Sequence, residues 1–191
     1  MDKSISAERT GAGRRRRTLA ERFLGNASGS VAIEFTALAI PFSLLVFAIL
    51  ESCISFAGQQ VLSNTADDIA RQLRTGQIKA AAMNETVLRD MICDDLEIIV
   101  ATGCPGLEVD LREYATFALA ADERIKLTAD KDIDKTGFAV DPGPSMTINM
   151  LRVFYRWPVM TDFMRKSMSN LKDGKTLHFA TVTWQNEPFD D

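Results

Sequence analysis

The stretch that decides the fold is residues 24–66, LGNASGSVAIEFTALAIPFSLLVFAILESCISFAGQQVLSNTA. It contains no Lys or Arg, and its only charged residues are Glu34 and Glu51. Its uncharged centre, Phe35–Leu50, is mostly Leu, Ile, Val, Phe and Ala. Extending that centre to Val31–Ala57 provides the roughly twenty apolar residues that a bilayer requires, with the glutamates near the ends, where water reaches them. The stretch therefore predicts a transmembrane helix.

Charge is divided unevenly around this stretch. Residues 1–23 hold seven Lys or Arg against three acidic residues, and four of the basic residues are consecutive: Arg14, Arg15, Arg16 and Arg17. Basic residues that precede a hydrophobic segment stay in the cytoplasm. A basic run can also bind nucleic acid, but before a membrane helix we expect it to set the topology and to contact anionic lipid. No nucleic-acid partner is predicted.

This topology divides the 191-residue chain into three predicted parts. They are a basic cytoplasmic leader (1–29), a transmembrane helix (30–57) and an exported domain (58–191). A helix buried in a soluble core is the alternative interpretation of the hydrophobic segment, but a soluble helix is not expected to continue so long without charge.

A glycine stands just before the hydrophobic segment, and a glutamate follows five residues later, in the run Gly29-Ser30-Val31-Ala32-Ile33-Glu34-Phe35. This junction resembles the processing site of type IV prepilins, which a membrane aspartyl peptidase cuts after the glycine. The resemblance implies cleavage between Gly29 and Ser30 and an assembly role for Glu34 and Phe35. It also implies the N-terminal amine of another subunit as the partner of Glu34, whose carboxylate is costly near a membrane unless it is paired.

Other export signals, and one structural interpretation, also fit parts of this region. Ser55-Phe56-Ala57 imitates a secretory cleavage site, Arg16-Arg17-Thr18-Leu19 loosely imitates a twin-arginine signal, and Cys53 is a possible lipoprotein cysteine. Alternatively, Gly29 belongs to a flexible linker and Glu34 lies at the membrane interface. The three rival export signals all predict export of the same C-terminal part.

The sequence is similar to the TadE-like family of pseudopilins, accessory components of the Flp (tight-adherence) pilus system. The similarity lies first in residues 29–41, GSVAIEFTALAIP, including Pro41 within the hydrophobic helix. Glu51 matches an acid near the far end of that helix in the family. Two further patches are residues 74–78, RTGQI, and residues 185–189, QNEPF.

The resemblance implies a minor assembly component of a Flp-type pilus or related secretion apparatus, not an enzyme. Its implied partners are a prepilin peptidase, other pilins or pseudopilins, inner-membrane pilus assembly proteins and membrane lipid. The implied location is the bacterial inner membrane, with the N-terminus cytoplasmic and the C-terminal domain periplasmic. An uncleaved membrane-anchored scaffold or ligand-binding domain of the cell envelope is the alternative.

The exported part is predicted to be α+β, with the long helix continuing beyond the membrane as a stalk. Helical periodicity continues through Leu62, Ala66, Ile69 and Leu73, with Gly76 as a stop signal. Alternating patterns predict antiparallel strands packed on helices. The predicted elements are helices at Asn84–Ile99 and Asp162–Leu171, strands at Leu107–Leu111, Met146–Trp157 and Leu177–Trp184, and a loop at Asp130–Pro144.

The cysteines predict one disulfide and no metal site. If the C-terminal part is periplasmic, Cys93 and Cys104 lie in an oxidising compartment, where a bridge would contribute about 2–3 kcal/mol. Zinc usually takes four ligands, and His178 is the only histidine. No phosphate loop, dinucleotide fingerprint or nucleophile elbow is present. No cofactor or catalytic residue is predicted, and an exported enzyme is the least favoured alternative.

Overall fold

The computed structural model describes residues 30–190. It opens with helix α1 (Ser30–Arg74), which continues through Pro41 without interruption. The other helices are α2 (Glu85–Leu96), α3 (Phe117–Asp122) and α4 (Asp162–Met168), with 3₁₀ turns at Ala80–Ala82 and Lys172–Gly174. The strands are β1 (Leu107–Tyr114), β2 (Val140–Asp141), β3 (Ile148–Pro158) and β4 (Lys175–Gln185).

The chain separates into two compact units between Leu45 and Val46. In the first unit, the described residues form the N-terminal part of α1, whose large apolar side chains are exposed. The second unit contains the remainder of α1 and all other elements. The predicted boundary of the membrane segment at residue 57 stays a prediction.

The second unit contains a four-stranded mixed sheet in the order β2-β1-β3-β4. β1 and β4 both pair antiparallel with β3, with Leu111 opposite Leu151 and Tyr155 opposite His178. These pairings confirm the predicted antiparallel strands and the α+β class. The parallel strand β2, next to β1, was not predicted, because it is only two residues long and lies within the expected loop at Asp130–Pro144.

One face of the sheet packs against α1 and α2. The stalk residues Leu62, Ala66, Ile69 and Leu73 are buried, as the helical period predicts. They meet residues from α2 and from the alternate positions of β3: Leu88, Ile92, Leu96, Leu151, Val153, Tyr155 and Trp157. Burial of one such large apolar side chain contributes about 1.5–3 kcal/mol, so this core holds the C-terminal part of α1 to the sheet.

The opposite face of the sheet carries a buried ion network. The carboxylate of Asp110, on β1, accepts hydrogen bonds from Arg152 Nε at 2.9 Å and from Arg112 Nε at 2.8 Å. Glu123 lies 3.7 Å from the Arg152 guanidinium. Phe138 stacks on Phe154 at 5.4 Å beneath the same guanidinium. The network therefore joins the long connection between α3 and β2 to the sheet.

Local signals set several element ends. Asn84 caps α2, because its side-chain oxygen accepts the N–H of Val87 at 3.0 Å. The helix ends at Leu96, three residues before the predicted end. β3 begins two residues after the predicted start at Met146 and ends at Pro158, one residue beyond the predicted end. Helix α3 was not predicted; it begins where the Thr116 hydroxyl accepts the N–H of Leu119 at 3.2 Å.

Candidate assembly site

The first described residues carry part of the predicted processing and assembly site. The Ser30 hydroxyl donates a hydrogen bond to the Glu34 carboxylate at 2.8 Å, and both side chains are exposed. Phe35 is 72% exposed. Gly29 and the run Arg14–Arg17 lie outside the described residues. The arrangement leaves Glu34 and Phe35 accessible to a partner.

Helix α1 is long and apolar enough to span a membrane. It contains an 18-residue window with a mean hydropathy of 2.2, none of which is buried. The exposed large apolar residues between positions 31 and 50 are Val31, Ile33, Phe35, Leu38, Ile40, Phe42, Leu44, Leu45, Val46, Phe47, Ile49 and Leu50. Such a surface is compatible with a lipid or protein environment and not with free exposure to water.

Past Leu50, one face of α1 becomes buried. Glu51, Ser55 and Gly58 are buried and precede Leu62 on the same stripe, at the i, i+4, i+7 spacing of a helical face. Polar and small residues thus occupy the positions that apolar residues occupy further along the helix. Each of the three makes a specific contact with the domain.

Glu51 ties α1 to the connection between β3 and α4. Its carboxylate accepts the N–H of Met160 at 2.5 Å and that of Thr161 at 3.2 Å, and it also accepts the Thr161 hydroxyl. A buried carboxylate is costly unless such donors satisfy it. The three bonds therefore make the conformation before α4 depend on the acid that the family resemblance singled out.

His178, on β4, contacts α1 at Ser55, one helical turn beyond Glu51. Its Nε2 is 3.0 Å from the Ser55 hydroxyl, and its ring stacks on Trp157 with centroids 4.9 Å apart. The side chain is 6% exposed. Burial lowers the pKa of His178 to about 4, because the charged ring loses hydration and gains no opposing charge. His178 is therefore a neutral structural residue at pH 7.

Gly58 allows α1 to approach Trp157 closely. A Cβ at this position would lie 2.8 Å from Cη2 and 3.0 Å from Cε3 of the Trp157 ring, closer than normal carbon contacts. Trp157 is buried by the sheet and by His178, so it has little space to move. A side chain at Gly58 would force the helix away from the sheet.

We expect Gly58→Val to lower the free energy of unfolding by about 2–3 kcal/mol, through overpacking against Trp157. The measurement is urea unfolding of the detergent-solubilised full chain, followed by tryptophan fluorescence. Ala57→Val is the matched control, since Ala57 is the exposed neighbour on the same helix and should change stability by less than about 0.5 kcal/mol. Equal effects of the two substitutions would contradict the close-contact explanation.

Gln59 covers part of the outer edge of β4. Its side-chain amide donates to the Phe179 carbonyl at 2.8 Å and accepts the Phe179 N–H at 3.2 Å. These two hydrogen bonds replace those that a residue of a neighbouring strand would form with the backbone of Phe179. It satisfies an edge position that would otherwise be available to another chain.

The second and third patches of family similarity meet at the C-terminal end of α1. The Arg74 carbonyl accepts the N–H of Glu187 at 2.9 Å, and the two side chains form an ion pair at 3.4 Å. Gly76 has a φ of +70°, and a Cβ there would lie 2.6 Å from the Phe189 ring. Asn186 fixes the tail by donating to the Pro144 carbonyl at 2.8 Å. The C-terminal residues 186–189 therefore pack against the end of α1 and the turn that follows it.

Cys93 and Cys104 form the predicted disulfide, with their Cα atoms 5.7 Å apart. It joins α2 to the start of β1 across a turn containing Gly103, whose N–H donates to the Glu97 carboxylate at 2.8 Å. Cys53 is a free, exposed thiol. Because the two cysteines are bonded to each other, Cys93, Glu97 and Cys104 are not a metal-binding set despite their proximity.

The contacts of Glu51, Ser55 and Gly58 with the domain were not predicted from the sequence. Their i, i+4, i+7 spacing, in register with Leu62, is a signal that could have indicated a buried stripe. Their partners could not be found in the same way, because Thr161 and His178 lie more than a hundred positions away.

Comparison with known families finds a match at the segment that contains these features. Residues 29–71 match the family model described as TadE, TadE-like protein. No curated protein and no solved structure matches the chain. The match confirms the resemblance inferred from the N-terminal motif and covers α1 almost to its end. The similarity to TadE-like proteins covers 43 of the 191 residues.

Proposed function

We propose that this chain, TadE-like over residues 29–71, is a pseudopilin-like minor component in the assembly of a Flp-type pilus or a related secretion apparatus. A prepilin peptidase cuts it after Gly29, and the mature chain begins at Ser30. The observation that carries the proposal is the family match, which begins at the glycine between the basic leader and the exposed apolar helix.

The geometry of α1 supports this role in two ways. Its apolar surface, exposed from Val31 to Leu50, provides a helix that lipid surrounds before assembly and other subunits contact during assembly. Glu34 stands at the start of that surface with one hydrogen bond, from Ser30, so its carboxylate can accept further donors. The amine of a neighbouring subunit is the proposed donor.

The topology and the compartment belong to the same proposal. The run Arg14–Arg17 keeps the leader in the cytoplasm, and the C-terminal domain lies in the periplasm of the bacterial inner membrane. The disulfide supports export, because such bonds persist in oxidising compartments. The partners are the peptidase, other pilins or pseudopilins and inner-membrane assembly proteins.

We expect the membrane-fraction protein to start at Ser30 in cells that contain the cognate prepilin peptidase and to retain its leader in cells that lack it. Intact mass and N-terminal sequencing measure this directly. Gly29→Val should block the cut, because a branched side chain occupies the unhindered backbone at the junction. Gly25→Val is the matched control in the same leader and should be processed normally.

Two other outcomes would reject the proposal. A leader that is retained in both strains would indicate the uncleaved membrane-anchored scaffold. A start near Gly58 would indicate an ordinary secretory signal, and the domain would then lose the contacts of Glu51 and Ser55.

A further inference from the structure

The connection between β3 and α4 is held beside exposed apolar residues of α1, next to Leu50. Glu51 directly follows Leu50, and its carboxylate binds the backbone of Met160 and Thr161. A helix rises about 1.5 Å per residue, so Met160 lies within a few ångströms of the level of Leu50, about two turns before Phe56, which is also exposed on α1. The placement depends on contacts within the second unit alone.

The side chains at this corner have the chemistry of a membrane interface. Met160 is 73% exposed and Phe163, at the start of α4, is 65% exposed. An apolar groove of about 340 Å³ adjoins them, lined by Ile99, Val100, Pro105, Trp157, Pro158 and Met160. Apolar side chains exposed together in this way indicate a surface that contacts something other than water.

Basic residues border the same corner. Arg165 forms an ion pair with Asp162 at 2.9 Å. Within residues 30–190, Lys166 and Lys175 form no ion pair, and Lys175 lies at the groove. Apolar side chains beside lysines without an ion-pair partner match the chemistry of an anionic lipid surface. The apolar side chains would contact the acyl chains, and the lysines would contact the headgroup phosphates.

We propose that Met160, Phe163 and Lys166 form a membrane-contacting foot, which rests the domain on anionic phospholipid headgroups beside its own transmembrane helix. Glu51 positions the foot by holding Met160 and Thr161. The occupant is lipid, because the foot lies beside the exposed apolar residues of α1 between Val46 and Leu50, which belong to the same compact unit. The inference rests on the proposed membrane anchoring of α1, and its test separates the two.

The test places an environment-sensitive fluorophore on single cysteines of the full mature chain, in a Cys53→Ala background with the disulfide intact. The chain is reconstituted in nanodiscs of phosphatidylcholine, with and without phosphatidylglycerol. Phe163→Cys reports on the foot, and Phe47→Cys reports on the helix. Phe117→Cys is the matched control, because Phe117 is exposed and lies near the opposite end of β3 from Met160. Phe117 follows the end of β1, which pairs with the first residue of β3, whereas Met160 follows the last residue of β3. Brominated lipid and aqueous iodide are the two quenchers.

We expect brominated lipid to quench the Phe163 probe several-fold more than the Phe117 probe, and iodide to quench it less. Equal quenching of the two by both reagents would overturn the foot while the Phe47 probe still reports lipid contact. Protection of the Phe163 probe from both reagents would indicate cover by a second copy and would also overturn it. A Phe47 probe that lipid does not quench would reject membrane anchoring itself.

Charge provides a second readout. Phosphatidylglycerol should increase the lipid quenching of the Phe163 probe, and Lys166→Gln should reduce the ratio of docked to undocked foot about fivefold. Lys126→Gln is the control for a general loss of charge, because Lys126 is an exposed lysine on the connection between α3 and β2. If the two substitutions have the same effect, the foot does not bind headgroup phosphate.

Discussion

Replacement of Asp110 by Ala is expected to lower the free energy of unfolding by about 3–5 kcal/mol. Asp110 is fully buried, and its carboxylate accepts hydrogen bonds from the side chains of Arg112 and Arg152 and from the N–H of Ala139 at 3.1 Å. Arg152 is itself 2% exposed and is stacked over Phe138 and Phe154. Without the carboxylate, a buried guanidinium keeps Glu123 at 3.7 Å as its remaining acidic partner.

The measurement is urea unfolding of the detergent-solubilised full chain, followed by the fluorescence of Trp157 and Trp184. Asp68→Ala is the matched control: Asp68 pairs with Arg71 at 3.4 Å on the exposed face of α1 and should cost less than about 1 kcal/mol. An Asp110→Ala variant within 1 kcal/mol of the parent would mean that the network contributes little beyond what solvent could replace. Asp110→Asn is also expected to be unstable, because it removes the charge and replaces one acceptor oxygen with an NH₂ group that cannot accept from Arg112 or Arg152.

Much of the fold could be predicted because its signals are local. The buried face of α1 is set by the period of that helix alone and contains Leu62, Ala66, Ile69 and Leu73. In the same way, the period of β3 alone places Leu151, Val153 and Tyr155 on one face of the sheet. The predicted helix that starts at Asn84 is begun by a cap that requires only Asn84 and the three residues after it. These predictions were confirmed because each element carries enough apolar surface to decide its own state.

Elements with little surface of their own were not predicted. β2 has two residues, and its pairing with β1 depends on Asp110, which holds the Ala139 N–H beside Leu111. α3 has six residues and follows β1 after a short turn. A sequence pattern this short does not distinguish a strand or a helix from a loop, because contacts formed elsewhere decide the outcome.

The residues of the candidate site also divide into those with local signals and those without. Gly29, Ser30 and Glu34 lie within six residues of one another, and the family motif identified them together. The patches at 74–78 and 185–189 were recognised as family features, without a mechanism. The structure provides one: Arg74 and Gly76 contact Glu187 and Phe189 across the whole length of the domain's sequence. No local rule predicts a contact at that separation.

Stability is expected to fall by about 3 kcal/mol as the pH decreases from 6.5 to about 4, because of His178 alone. The folded pKa of about 4 lies below the ordinary value of 6.5, so the unfolded chain binds the proton more tightly. The contribution of neutral His178 is therefore complete above pH 6.5 and is lost as the pH falls through the window. Protonation would bury a cation between Trp157 and Ser55 without an acidic partner.

His178 is the only histidine, so no other imidazole titrates in this window. The pKa of Asp132 is lowered, despite burial, by the N–H of Ile133 and by Arg156, and that of Asp134 is lowered by hydrogen bonds from Thr136. Both carboxylates therefore lose their contributions below pH 3.8, outside the window. Urea unfolding at a series of pH values measures the slope.

His178→Gln is the informative variant, because glutamine keeps a hydrogen-bonding partner for Ser55 and does not titrate. We expect its free energy of unfolding to be nearly independent of pH between 6.5 and about 5, above the ordinary pKa values of Asp and Glu, whereas the parent loses stability across that range. A parent chain as stable at pH 4.5 as at pH 7 would show that the ring is protonated without penalty. Water would then reach the contact between α1 and the sheet, although Ser55 and Trp157 are buried there in the structure.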